Sequence, residues 1–224
     1  MFKKSILLTL LLTAFFGMTR AGNNSQGEWE DAIQFTTPEQ NTIIQNIGLE
    51  NNRTLTQTIN LSAGWNWISI HVEISLSDLQ NALMDALPNT SITIKSQTDY
   101  IYYNGFRWRG NLNSLNVALM YQVKVVFDAE ITLEGTPIDP TEHPITILPG
   151  ANWIGFPLNE NMSITNAFAG FAVSGDVVKS QTQTATYNGT RWTGRLTSLA
   201  PGKGYMFNSS VSEGRILVFP TTSK

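Results

Sequence analysis

A mainly β protein with a minor helical part is what the sequence predicts: two tandem strand-rich repeats, each a small β-barrel or sandwich-like unit with one short helix. Three observations predict it. Residues 103–115 read YNGFRWRGNLNSL and residues 187–199 read YNGTRWTGRLTSL, so nine of thirteen positions match. Short runs alternate apolar and polar residues between Gly, Asn and Pro, which is the pattern of half-buried strands. Each copy also holds one stretch with helical spacing of its apolar residues.

The repeat organises the chain. Gly64-Trp-Asn-Trp-Ile-Ser returns as Gly150-Ala-Asn-Trp-Ile-Gly, which aligns Asn66 with Asn152 and Trp67 with Trp153. Lys95-Ser-Gln-Thr98 returns as Lys179-Ser-Gln-Thr182. Tyr121 corresponds to Tyr205, and Val117-Ala-Leu-Met120 becomes Pro201-Gly-Lys-Gly204. The units are therefore 56–139 and 140–220, with 221–224 as a tail.

In chain order, residues 1–21 (MFKKSILLTLLLTAFFGMTRA) have the basic start, short apolar run and small-residue exit of a secretory signal. Residues 22–55 form a polar leader rich in Asn, Gln, Thr and Ser. Strands are predicted over Thr56–Leu61 and Trp65–Val72. Ser77-x-x-Gln80 then caps a helix whose face carries Leu79, Ala82, Leu83, Ala86 and Leu87. Ser163 opens a shorter counterpart through about Phe171. Ile92–Tyr103 reads as one long strand, turned at Asn104-Gly105 by a two-residue loop onto Phe106–Gly110. Tyr121–Phe127 and Glu130–Leu133 complete the unit.

A two-residue loop sets Tyr103 opposite Phe106 and Ile101 opposite Trp108. One face then carries Ile101, Tyr103, Phe106 and Trp108, and the other Tyr100, Tyr102, Arg107 and Arg109. The first face keeps its Tyr and Trp in the second copy, as Tyr187 and Trp192, beside aliphatic neighbours. Tyr103, Tyr187, Trp108 and Trp192 are accordingly expected in the repeated core, together with Trp67 and Trp153. The candidate ligand-binding residues are those that the copies do not share. Tyr100, Tyr102, Arg107 and Arg109 form an aromatic and cationic patch in the first unit only, and Trp65 is unmatched because Ala151 takes its place. Exposed aromatic rings with Arg donors suit a sugar or a protein partner.

Composition narrows the function classes. The chain has 14 Lys and Arg against 17 Asp and Glu, a formal charge of −3. Removal of the signal, with Lys3, Lys4 and Arg20, moves it to −6. That balance provides no electrostatic footprint for nucleic acid, and no membrane span is expected once the signal is gone. Without cysteine there are no disulfides, thiolate metal sites or Cys nucleophiles. Only His71 and His143 are present, in no metal-ligand spacing, and no Gly-x-Ser-x-Gly elbow occurs. Asp139 and Glu142 fall in no calcium-loop pattern. No catalytic residue, metal or cofactor is implied. Two facing carboxylates would be needed for glycoside hydrolysis, and Glu73, Asp78 and Asp99 meet Asn159, Ile164 and Gln183 in the second copy.

At WNWIS, KSQT, YNG-x-RW-x-G-x-L-x-SL and PGKGYMF the chain resembles a repeat of exported and surface proteins of Bacteroides-like bacteria. The resemblance covers about 160 residues in both units. Val117–Met120 departs from the PG-x-G element of that pattern. The resemblance implies an extracytoplasmic, strand-rich accessory module and assigns no catalytic residue. The expectation is a non-catalytic secreted or cell-surface module that recognises a glycan or a surface protein. A structural or assembly role is the second reading, and a small glycoside hydrolase the third.

Overall fold

The computed structural model describes residues 54–221. The expected signal, the leader as far as residue 53 and the end of the tail lie outside the described residues. The described chain is mainly β. Its first repeat runs β1 (Leu55–Leu61), β2 (Gly64–Ile68), β3 (Val72–Glu73), helix α1 (Leu76–Ala86), β4 (Ile92–Lys95), β5 (Tyr100–Tyr103), β6 (Trp108–Gly110), β7 (Tyr121–Val125) and β8 (Ala129–Pro137). The second runs β9 (Ile145–Ile147), β10 (Gly150–Ile154), β11 (Met162–Ser163), helix α2 (Ile164–Ala167), β12 (Val177–Lys179), β13 (Thr184–Tyr187), β14 (Trp192–Gly194), β15 (Ser198–Leu199), β16 (Tyr205–Ser209) and β17 (Arg215–Leu217).

Each repeat builds one open five-stranded antiparallel sheet, ordered β2-β7-β4-β5-β6 and β10-β16-β12-β13-β14. A ribbon closes the inner face, β1 with β8 in the first repeat and β9 with β17 in the second. The first core joins Ile94, Ile101, Val123 and Val125 of the sheet to Ile59, Leu61, Ile131 and Leu133 of the ribbon, with Leu76, Leu79 and Leu83 of α1 on top. In the second repeat α2 is a single turn, and aromatic rings fill the space that α1 occupies in the first. Phe168 stacks within 5.3 Å of Phe207, and Phe156 meets Phe219 edge-on at 5.4 Å.

The retained motifs have local causes. Asn66 Oδ1 accepts the Ser62 N–H at 2.9 Å, and its Nδ2 donates to the Ser62 carbonyl at 2.7 Å, clamping the β1–β2 turn. Asn152 makes the same pair with Leu148 at 2.8 and 2.7 Å. The Trp-x-Gly glycines are held by close approach. A Cβ on Gly110 or Gly194 would stand 2.2 Å from the carbonyl oxygen of Tyr100 or Thr184, at φ values of +146° and +139°. Tyr121 and Tyr205 each accept a backbone N–H at 2.7 Å, from Asn116 and Ala200, and burial pushes both phenols up.

Four expectations are corrected. Ile92–Tyr103 is a hairpin and not one strand, with Ile94 paired to Ile101. The Ser96 Oγ accepts the N–H groups of Thr98 and Asp99, and Ser96 N–H bonds the Asp99 carbonyl at 2.8 Å, so KSQT turns the chain. The Asn104-Gly105 turn is a four-residue loop, 104–107, because the Asn104 Oδ1 accepts from Phe106 and Arg107 and only the glycine has positive φ. Its register sets Tyr103 opposite Trp108, which leaves Phe106 at the loop tip, 91% exposed instead of core-facing. Helix α1 is capped by Ser75 and not Ser77, since the Asp78 carboxylate reaches back to the Ser75 N–H at 2.8 Å. Finally, Trp67 and Trp153 lie half-buried on the outward side of their strands, where Asn66 and Ile68, or Asn152 and Ile154, take the inward positions. Tyr103 and Trp108 do pack on the first core, and Trp192 on the second. Tyr187 is half-buried, with its ring centroid 5.2 Å from that of Trp192.

The repeats interlock reciprocally. The edge of β2 not used by β7 is covered by the second repeat: the Gln181 side chain accepts the Trp67 N–H at 3.0 Å and donates to the Trp65 carbonyl at 2.6 Å. In return Gln97 accepts the Trp153 N–H at 2.8 Å and donates to the Ala151 carbonyl at 3.0 Å, on β10. Further along, Ser69 N–H reaches the Gly202 carbonyl at 3.2 Å, and Gly155 N–H the Ala118 carbonyl at 2.9 Å. Val117–Leu119 makes the same turn as its Pro-Gly counterpart, closed by Leu119 N–H to Asn116 O as Lys203 N–H closes on Ala200 O. The Asn116 side chain, accepting from Ala118 N–H at 2.9 Å, supplies the order that Pro-Gly supplies in the second repeat.

A carboxylate is buried inside the second repeat. Asp176 is fully buried and accepts from Arg215 Nη2 at 2.9 Å, from the Val173 N–H at 3.0 Å and from the Ser210 N–H at 2.9 Å. Burial alone would push its carboxyl up, yet these donors hold it below the usual carboxylate range. Arg215 also donates to the Phe171 carbonyl at 2.9 Å and lies 4.4 Å from that ring's centroid.

Two outcomes are expected from urea unfolding. Gln97→Ala and Gln181→Ala each lower stability by about 1 kcal/mol, the net worth of solvent-accessible hydrogen bonds. Asp176→Ala costs about 3 kcal/mol, since it strands a largely buried guanidinium. With its folded pKa below the unfolded value, the Asp176 contribution is present above about pH 4 and fades as pH falls through the folded pKa.

Candidate functional site

The strand pairings define the outer face of the first sheet. One row across it reads Trp65, Lys124, Thr93, Tyr102 and Arg109, each residue paired with the next on the neighbouring strand. The adjacent row reads Trp67, Gln122, Lys95 and Tyr100. Inward residues alternate with these and are buried, so the platform is rigidly backed by the core. Trp65, Tyr100 and Tyr102 are 39%, 49% and 37% exposed.

The structure brings together four of the five residues singled out from sequence: Tyr100, Tyr102, Arg109 and Trp65. Arg107 is the exception. The two-residue shift in hairpin register places Arg109, not Arg107, opposite Tyr102, and Arg107 lies in the 104–107 loop beyond the strands. Two residues that the sequence reading missed complete the face. Lys95 Nζ and Lys124 Nζ stand 5.6 and 5.8 Å from the centroid of the Trp65 ring, within cation–π range. Recognising the KSQT turn places Lys95 on this face, since it folds β4 back beside β5 and sets Lys95 opposite Tyr100; Lys124 is placed by the pairing of β7 with β2 and β4.

The second repeat has no such face. Its equivalent rows read Ala151, Asn208, Val177, Thr186, Thr193 and Trp153, Met206, Lys179, Thr184. Only the Trp and Lys of the second row persist.

Protein-family models, curated proteins and solved structures were compared with the chain, and none matches.

Two clefts hold His71, Asp139 and Asp99. One, of about 260 Å³, is lined by Leu55, His71, Asp139 and Leu158 among others. Burial pushes the His71 imidazole down, toward its neutral form, and its Nδ1 has no partner. Asp139 is the one carboxylate there, held below the usual carboxylate range by hydrogen bonds from the Thr141 Oγ1 and N–H. The other cleft, beside Ser96 and Asn116, is lined by a single carboxylate, Asp99, which accepts from Asn111 at 2.6 Å. Neither presents the facing carboxylate pair of a glycoside hydrolase. Among the described residues, no three His, Asp or Glu side chains converge as metal ligands, and no helix is long and apolar enough to cross a membrane.

The two ammonium groups beside Trp65 make its surroundings positive. Iodide is expected to quench tryptophan fluorescence more strongly than caesium at equal concentration, and the difference should shrink in Lys95→Gln/Lys124→Gln. Equal quenching of the parent protein by both ions would contradict this geometry.

Proposed function

We propose that this chain is a non-catalytic recognition module of the cell exterior, which holds a glycan or a protein partner on the outer face of its first sheet. The observation that carries the reading is the difference between the two faces. Asn66 with Asn152, Tyr121 with Tyr205 and the two KSQT turns are kept in both repeats, whereas Trp65, Tyr100, Tyr102, Lys124 and Arg109 occur on one outer face only. Large exposed aromatic rings cost solubility unless something covers them. A rigid sheet presents them already ordered, which lowers the entropy cost of binding.

Export is part of the proposal, supported by the signal-like residues 1–21 and by the resemblance of the repeat to exported surface modules. The assembly reading has less support, since the partner-free edges of β2 and β10 are taken by Gln181 and Gln97. The other outer strands of the two five-stranded sheets, β6 and β14, have three residues each.

The test uses purified residues 22–224 on a glycan array and in pull-downs with surface extracts. Tyr100→Ala/Tyr102→Ala is expected to unfold within about 0.5 kcal/mol of the parent, as surface changes do, and to lose at least roughly tenfold in affinity, or about 1.4 kcal/mol. Unchanged affinity for every captured ligand would refute the face.

A further inference from the structure

The charge of the face is one-signed. Its outward positions on β2, β7, β4, β5 and β6 include Lys95, Lys124 and Arg109 and no carboxylate. Among the described residues the only ion pair is Arg215 with Asp176, so no described carboxylate lies within 4.0 Å of these three cations. Lys95 and Lys124 converge on the same Trp65 ring, at 5.6 and 5.8 Å from its centroid. Two ammonium groups beside one ring concentrate positive charge there, and an anion seated next to them is favoured. Arg109 stands three strand spacings from Lys124 in the same row, about 14 Å away, with Tyr102 between.

We infer that this face takes an acidic polysaccharide, a glycan whose carboxylate or sulfate groups are seated by Lys95 with Lys124 at one end and by Arg109 at the other. The inference rests on the recognition role proposed above and names its ligand class. Tyr100, Tyr102 and Trp65 supply flat apolar surfaces for the C–H faces of pyranose rings, while their polar edges, with Thr93 and Gln122, meet hydroxyl groups. A polymer carrying an acid at intervals along its chain fits anion seats separated by aromatic surface. Single-stranded nucleic acid fits less well. It requires a basic groove that tracks its backbone, and this chain carries more acids than bases beyond the face. An acidic peptide would add to a strand edge or enter a groove. The β2 edge here is closed by Gln181, and the site is an open sheet face.

The experiment measures binding of residues 22–224 to polygalacturonate, alginate and chondroitin sulfate, to neutral dextran and mannan, and to poly-glutamate and oligo(dT). At least one acidic polysaccharide is expected to bind, with affinity that falls as salt rises. Lys95→Gln/Lys124→Gln should weaken it roughly tenfold, and Tyr100→Ala/Tyr102→Ala at least as much, with both variants unfolding as the parent does. A neutral glycan that needs the tyrosines but not the lysines would overturn the acidic class and leave the recognition face intact. Equal binding of poly-glutamate or oligo(dT) would overturn the glycan assignment. An acidic glycan held undiminished by both double variants would overturn the face itself. Retention of none of these polymers would overturn the acidic-polysaccharide assignment, and a partner protein captured with loss in the tyrosine variant would still support the recognition role.

Discussion

The fold depends on how each sheet ends. A five-stranded open sheet has two edges, and an uncovered edge presents unpaired N–H and C=O groups. Here the β2 edge of the first repeat is covered by a glutamine and a turn from the second, and the β10 edge by the same two elements from the first. A carboxamide suits the task because it carries one acceptor and a donor group side by side, so it substitutes for a short length of strand. The requirement is mutual, as in the two-fold interface of a homodimer, and it explains why KSQT and the N-W-I strand were retained together. Each repeat keeps its glutamine for the sake of the other.

That reciprocity leaves the outer faces free to diverge. Core positions are fixed by packing, hairpin positions by their hydrogen bonds, and edge positions by the partner repeat. The outward residues of the central strands satisfy none of these constraints. In the second repeat the matching row holds Ala151, Asn208, Val177, Thr186 and Thr193, none of them aromatic or charged, while the first gathers Trp65, Tyr102, Lys124 and Arg109. Backing by the Ile94, Val123 and Ile101 core keeps that row stiff.

Much of this was legible in the sequence because the repeat compares the chain with itself. The aromatic patch on one sheet face and the inward set of Tyr103, Trp108 and Trp192 follow from alternation and from differences between copies. Failures came where a short polar side chain competes with the regular pattern. Ser96 turns a stretch whose alternation reads as one continuous strand, and Asn104 draws two N–H groups into a loop longer than its Asn-Gly pair implies. The loop error moves residues along the hairpin by two, so faces survive while partners change, whereas the Ser96 turn flips the alternation and puts Lys95 on the face of Tyr100 and Tyr102. Trp67 and Trp153 show a different limit. Their retention was read as burial, but the residue buried on that strand is the neighbouring Asn, held by backbone partners that no hydrophobicity pattern reveals. The buried Asp176 with Arg215 was equally invisible, since it is a pairing of residues distant in sequence with no counterpart in the first repeat.

Where the repeats meet, equivalent positions have become complementary instead of equal. A Cβ on Gly204 would lie 2.2 Å from the Cγ of Met120, the residue at the same position of the other repeat. Met120 is fully buried, so its side chain occupies the volume that the glycine leaves empty. Two identical chains cannot do this: a symmetric pair would set Met against Met, which overfills the site, or Gly against Gly, which leaves a cavity. Joining the repeats in one chain removes that restriction. The same freedom extends to the outer faces, because a fused pair lets one copy carry residues that the other lacks. The departure of Val117–Met120 from the Pro-Gly pattern is therefore the packing counterpart of Gly204, and the two positions must be read together.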